Sequence, residues 1–309
     1  MNRTIHYQIN NFDADLTVGS FLRMKGFSRH ILSHLKQTDH GICLNGVPVF
    51  TSCLLKPGDQ LTIRIIEAAS SERIEPVCLP LSIVYEDEDI LAVNKPAGMP
   101  VHPSYGNYNN TLANSVAYYY QQQKIPYVFR CINRIDRDTS GLLLLAKHML
   151  SGALLSKAMK EHRIHRTYLA LVWGHPSHSS GTITVPIARS PHSILERQAD
   201  PSGEPAVTHY EVLCSFEQAS LVKFHLETGR THQIRVHMKY LGHPLLGDFL
   251  YNPGNHDCPR QALHSWSLAF SHPLSEKPMS FKCPLPEDMK SFLLSHSLIK
   301  GDFSLIRQL

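Results

Sequence analysis

Asn133-Arg134-Ile135-Asp136-Arg137-Asp138-Thr139-Ser140-Gly141 is a dense polar run that stops directly against four leucines, Leu142 to Leu145. The leucine run is short, apolar and punctuated by Ser-Gly, which predicts a buried strand. Two carboxylates and two guanidiniums are thereby expected at the mouth of a hydrophobic layer. An acid set there between cations stays ionised and poorly hydrated, which suits a nucleophile or a base. Asp136 and Asp138 can also be read as the paired carboxylates of a glycoside hydrolase, which sit about 5–9 Å apart across a cleft. With only two tryptophans in the chain, no sugar-stacking platform accompanies them.

Three further segments carry chemically useful residues. Asn94-Lys95-Pro96-Ala97-Gly98-Met99-Pro100-Val101-His102-Pro103 follows a strand-like run, and its prolines predict a stiff loop in which Lys95 and His102 can meet a phosphate. Arg163 to Val172 places Tyr168 in a strand-like run after a basic stretch. Thr228-Gly229-Arg230-Thr231-His232-Gln233-Ile234-Arg235-Val236-His237 is expected as a strand. Thr231, Gln233, Arg235 and His237 would then share one face, opposite His232, Ile234 and Val236. The 20 histidines invite a metal reading, but no H-E-x-x-H or comparable ligand spacing occurs, so no metal site is expected. Phosphate-binding loops and nucleophile elbows are absent from the sequence as well, so the chemistry is expected to run on protein groups without a cofactor.

The elements that must position these residues fall into two parts. Residues 1–66 suggest a small α/β module. Phe21-Leu22 opens an apolar pattern, Ser28 caps a helix carrying Ile31, Leu32 and Leu35, and Gly41 is expected to end it. Asn45-Gly46 then joins two strand-like runs as a hairpin, and Leu61 to Ile65 forms a last strand. Residues 1–65 carry seven Lys and Arg against four Asp. Arg23, Lys25, Arg29 and Lys36 lie in a stretch with no acid, a pattern that suits a phosphate backbone or an ordinary solvated helix face. Residues 67–80 are small, charged and proline-containing, and suggest a linker. From 81 to 309 a larger unit is expected. It opens with a hairpin, Ile83 to Val93 with an acidic tip, continues with strands near 207–213, 220–226 and 231–237, and has helices near 111–122, 151–162 and 287–296. Without sustained strand–helix alternation, the fold class expected is α+β with a mixed, mainly antiparallel sheet.

Composition bounds the protein at large. At 309 residues, 42% hydrophobic and 18% charged, it suits an ordinary soluble globular chain with a substantial core. No run of 18 apolar residues suggests a membrane span, and the N-terminus lacks a signal-like apolar core. Seven scattered cysteines without a C-x-x-C suit a reducing cytoplasm.

Taken in order, these segments resemble the RluA-type pseudouridine synthase family. The central motif of that family is His-Arg-Leu-Asp-x-x-Thr-Ser-Gly, matched here by residues 133–141. The loop at 94–103, the segment at 228–237, Gly242-His243-Pro244-Leu245-Leu246-Gly247-Asp248 and Leu263-His264 fit as well. Residues 13–66 are similar to the α-L RNA-binding module of a ribosomal small-subunit protein. The resemblance implies an RNA uridine isomerase that uses no metal or cofactor and needs no obligate protein partner; its N-terminal module points to large-subunit ribosomal RNA as the substrate, with transfer RNA as the alternative. Asp136 would be the catalytic aspartate, Tyr168 the tyrosine against the target base, and Arg235 the arginine paired with the aspartate. Arg134 would neighbour the flipped base, and Lys95, His102, Arg230, Arg23, Lys25, Arg29 and Lys36 would contact RNA. Asn133 replaces the family's usual histidine, and Arg166 stands where lysine is frequent. A non-catalytic RNA-binding protein is the alternative, which the intact Asp136, Tyr168 and Arg235 disfavour.

Overall fold

The computed structural model of the chain describes residues 1–296; the expected catalytic segment's last residues, 297–309, lie outside the described residues. The chain builds two main sheets. The first takes β1 (Asn2–Gln8), α1 (Val18–Met24), α2 (Arg29–Gln37), β2 (Ile42–Leu44), β3 (Val47–Pro48) and β4 (Gln60–Ile66), with strand order β1-β4-β2-β3. The Ser28 hydroxyl caps α2 by accepting from Ile31 N–H. Asn45 and Gly46 both take positive φ at the β2–β3 turn, as a tight hairpin requires. Helix α2 ends at Gln37 rather than at Gly41, because the Thr38 hydroxyl donates to His34 C=O and closes the last turn. Strand β1 has no counterpart among the sequence expectations. Only Ile5 on it is buried, so it has almost no apolar signature.

Residues 67–80 form no regular element, yet they do not hang free. Ser70 and Ser71 hydroxyls accept from Tyr127 and Phe129 N–H, and the Asn114 amide donates to Glu75 C=O. The remainder comprises β5 (Ser82–Glu86), β6 (Ile90–Lys95), α3 (Leu112–Gln122), β7 (Ser140–Ala146), α4 (Met149–Lys160), β8 (His165–Trp173), β9 (Ser180–Ile183), β10 (Ile187–Arg189), β11 (Arg197–Ala199), β12 (Thr208–Ser215), β13 (Ala219–Leu226), α5 (Gln233–Tyr240), β14 (Leu263–Ser271), β15 (Pro278–Lys282) and α6 (Glu287–His296). Nine of these strands make one sheet, ordered β5-β6-β7-β14-β8-β13-β12-β9, with β15 beside β14. Every pair is antiparallel except β7 with β14. This is the mixed, mainly antiparallel α+β sheet expected.

The leucine run is indeed a strand, and β7 is buried along its whole length. Leu142 and Leu144 pack with Leu155 of α4 on one face; Leu143 and Leu145 pack with Val116 and Tyr120 of α3 on the other. Burial on both faces explains the unbroken apolar run. Gly141 has φ of 111°, and a Cβ there would fall 2.2 Å from the Ser265 carbonyl oxygen. Only glycine lets β7 approach β14 at this point. Strand β8 is likewise covered on both sides. Tyr168 and Ala170 face α5, while Leu169 and Leu171 share a cluster with Met289 and Leu293 of α6.

A polar joint ties the two sheets together. Arg3 of β1 donates to the Asp89 carboxylate, 2.7 Å at Nε. Asp89 also accepts from His148 Nε2 at 2.8 Å, and His272 Nε2 lies 3.1 Å from Asp87. Asp87, Asp89 and His272 are close enough to suggest a metal site. However, His272 Nδ1 accepts from Leu274 and Ser275 N–H, so its proton sits on Nε2 and faces the carboxylates. With Arg3 on the other side, the cluster is neutralised by protein groups. Burial works against ionisation of Asp89, but hydrogen bonds from His148 and Arg3 outweigh it and hold its pKa at about 2. A folded pKa below the ordinary 3.8 stabilises the fold above that value, and the contribution fades as pH falls toward about 2. Asp89→Asn is therefore expected to lower stability by ~2 kcal/mol at neutral pH. Denaturation measured against pH should show the gap from the unmodified protein narrowing over that acidic window.

Candidate active site

Asp136 lies in the turn that feeds β7, and the turn is pinned from behind. The Asn133 side chain mimics a strand partner: its Oδ1 accepts from Leu144 N–H at 2.9 Å and its Nδ2 donates to Leu142 C=O. Lys95 Nζ donates to Pro96 C=O at 2.7 Å and to Arg137 C=O at 2.8 Å. Arg260 Nη1 donates to Asp138 C=O at 2.8 Å while its guanidinium pairs with Asp288 of α6. Two cations thus grip the two carbonyls that follow Asp136. Asp138 is occupied by its neighbour Arg137, 2.9 Å away, so its carboxylate is spent on a local ion pair instead of being presented with Asp136.

Lys95 requires a correction. It is completely buried, and burial draws its pKa down to about 7 against the opposing charge of Asp138. Its ammonium is satisfied by loop carbonyls and cannot reach a phosphate. The sequence placed it correctly at a strand end next to a stiff loop, but did not distinguish a lysine facing outward from one folded under the loop.

Arg235 requires a second correction, to its setting. The segment expected as a strand is α5, entered through His232 in the left-handed region at φ 59°. In the helix, Gln233 and His237 share a side and both hydrogen-bond the Thr208 hydroxyl, while Arg235 projects elsewhere. His232 and His237 are therefore not placed on opposite faces of a strand. Arg235 is 2% exposed. Its Nε and Nη2 bind Asp248 at 2.7 and 2.8 Å, and its Nη1 donates to Asp136 Oδ2 at 3.0 Å. Burial disfavours its charge, but Asp248 and Asp136 overcome this and raise its pKa. The guanidinium also lies over the Tyr251 ring, 4.9 Å from its centre.

Asp136, Tyr168 and Arg235 line one cavity of about 60 Å³ with Arg134, Arg166, Arg230 and His232. It opens into a groove of about 980 Å³ lined by His102, Arg134, Arg137, Arg166 and Arg230 among others. Burial raises the Tyr168 phenol above its ordinary pKa, with Arg166 and the Ser265 hydroxyl pulling partly against it, so it is protonated at neutral pH. Arg134, His102 and Arg230 line the groove beside the site, and Arg230 also pairs with Glu204. Arg23, Lys25, Arg29 and Lys36 are exposed on α1, α2 and their connection, outside the lining of the groove.

Tyr251 has no counterpart among the sequence expectations, and His232 enters them only within the 228–237 segment and the metal reading set aside there. Tyr251 Oη accepts from Arg197 N–H and also shares a hydrogen bond of 2.8 Å with His232 Nδ1. His232 Nε2 lies 3.9 Å from Asp136 Oδ2. Burial lowers the His232 pKa and keeps the ring neutral. Asp136 Oδ2 thus accepts from Arg235 with His232 close by, whereas Oδ1 has no hydrogen bond from the described residues.

Residues 89–240 match the family model described as RNA pseudouridylate synthase. A Bacillus subtilis protein described as an uncharacterised RNA pseudouridine synthase is 41% identical over 287 residues, covering 93% of this chain and 99% of the relative. A ribosomal large subunit pseudouridine synthase D of Zymomonas mobilis is 45% identical over 234 residues, covering 70% of this chain and 73% of that one. Among solved structures, human RNA pseudouridylate synthase domain containing 1 superposes with a TM-score of 0.58 at 30% identity, covering 71% of this chain and 90% of its own. The chain belongs to the RNA pseudouridine synthase family, and is an isomerase acting on RNA.

Asp248 holds Arg235 on the side away from the cavity. Asp248→Ala leaves a buried guanidinium half-paired and is expected to cost about 3–5 kcal/mol in chemical denaturation. Asp248→Asn keeps the shape but weakens the grip, and should lower pseudouridine formation about tenfold or more with the fold retained.

Proposed function

We propose that Asp136 is the nucleophile that isomerises a uridine of large-subunit ribosomal RNA, turned out of the RNA into the cavity it shares with Tyr168. The observation that carries this reading is the asymmetric hold on the carboxylate. Arg235 fixes Oδ2, while Oδ1 accepts no hydrogen bond from the described residues and the carboxylate lines the cavity. A carboxylate held this way can attack either the uracil ring or the ribose anomeric carbon. In both routes the N1–C1′ bond breaks, a C5–C1′ bond forms, the C5 proton leaves and N1 gains one. The exchange is redox-neutral and calls for no external reductant or energy source. Tyr168 supplies an aromatic wall for the base. Its raised pKa favours that role, with the hydroxyl exchanging protons, over a standing phenolate base.

Extruding a base costs roughly a few kcal/mol, which contacts to the RNA backbone must offset. Arg134, His102 and Arg230 along the groove, with Arg23, Lys25, Arg29 and Lys36 on α1, α2 and their connection, are suited to supply them. The ribosomal assignment draws on relatives named as ribosomal large subunit synthases. No described helix is long and apolar enough to cross a membrane; a place in the cytoplasm beside newly made RNA suits the reading.

The test uses total RNA tritiated at uridine C5, isolated from cells lacking the protein. The unmodified protein should release tritium, and Asp136→Asn should lower the rate by more than about 10³-fold while still binding RNA. Site-resolved pseudouridine mapping should locate the product in large-subunit ribosomal RNA. A product confined to transfer RNA would overturn the ribosomal assignment, and turnover by Asp136→Asn would overturn the nucleophile.

A further inference from the structure

Arg166 is 8% exposed, yet no carboxylate pairs with it among the described residues. Arg3, Arg130, Arg235 and Arg260 each face an acid. Arg166 instead donates from Nη2 to three successive carbonyls, of Leu226, Glu227 and Thr228, at long distances of 3.4, 3.4 and 3.2 Å. Its Nε has no hydrogen-bond partner among the described residues. The nearby Glu227 carboxylate is taken by His209. A buried cation with so few partners is costly, and the cost is recovered when an anion arrives.

Its position says which anion. Arg134, Ile135, Asp136, Arg166, Gly229 and Arg230 line both the inner cavity and the outer groove, so they form the rim where one opens into the other. A nucleotide whose base enters the cavity must lay its sugar and phosphate across that rim. Arg166 and Tyr168 are alternate residues of β8 on one face, about 7 Å apart along the strand. That spacing is comparable to the reach from a nucleobase to its own phosphate. Gly229 keeps the rim open: a Cβ there would fall 2.8 Å from Arg166 Nη1.

The geometry points to Arg166 as the residue that binds a phosphodiester of the extruded nucleotide, orienting the ribose toward Asp136. The assignment rests on the reading of the inner cavity as the target-base pocket. Arginine suits the task because its planar fork keeps donors free for phosphate while others hold the loop.

The test follows kcat/KM for tritium release from the same total RNA, over roughly 50 to 200 mM salt. Arg166→Gln should lower kcat/KM about tenfold or more, as loss of a charge-assisted hydrogen bond does. It should also flatten the log–log salt slope by about one, and Arg166→Lys should restore the slope. Gly229→Ala, which displaces the guanidinium, should flatten the slope in the same way, and it stands as the readout if Arg166→Gln does not fold. A slope unchanged in the folded variants would overturn the assignment, including the case in which Arg166 serves a uracil oxygen or only braces the 226–228 loop. Asp136→Asn measured alongside separates the two readings. Its turnover bears on the nucleophile, and the salt slope bears on Arg166.

Discussion

One guanidinium divided between two carboxylates organises this molecule. Asp248 takes Nε and Nη2 of Arg235 as a bidentate pair, which fixes the plane and leaves Nη1 a single direction. Asp136 sits at the end of that direction, although it lies 99 residues away in sequence. Buried ion pairs seldom repay their desolvation in stability, so geometry is the better reason for this one. Much of the surrounding structure brings Asp136 to the meeting point. Gly141 lets β7 close onto β14, while Lys95 and Arg260 hold the carbonyls just beyond the aspartate. A shift of the loop by an ångström would turn a held carboxylate into an ordinary solvated one.

Elements with contrast between their faces, or with none because both are buried, were legible in the sequence. The leucines of β7, the Asn45-Gly46 hairpin, the acidic-tipped β5–β6 hairpin and the strand bearing Tyr168 are where pattern and turn chemistry put them. The α5 segment was misread for a physical reason. Gln233 to Met238 are all buried, so no solvent face imprints a period of 3.6, and Ile234, Val236 and Met238 alternate as a strand would. Arg235 was legible through a family motif, while its helical setting was not. Lys95 shows the complementary limit, because a charged residue after a strand carries no mark of whether its ammonium folds inward. Asp248 was visible only as part of a quoted motif, since its partner is met through tertiary packing. His232 was hidden by the same misreading as α5.

The joint formed by Arg3, Asp89, His148 and His272 bears on how the two sheets can cooperate. His148 is fully buried at the start of α4, where its Nδ1 accepts Ser151 N–H and its Nε2 faces Asp89. The N-terminal amine adds hydrogen bonds to Glu67 and Pro126 carbonyls, and Arg130 pairs with Glu67. Contacts of this kind hold the start of β1 and the residue that follows β4 against the larger unit. An exposed basic surface on α1 and α2 is therefore offered at a set distance from the groove, a more specific arrangement than a tethered module would give.

Net charge is a poor guide to where such a chain can hold RNA. The formal value is only +4, but cations differ in whether the fold has already used them. Lys95, Arg235 and Arg260 are committed to carbonyls and carboxylates inside the protein. Arg230 and Arg137 are shared with local acids. Arg166 is the contrary case, buried at the mouth of the site and held only by weak bonds to carbonyls. The charges that matter for recognition are the ones folding has left unanswered.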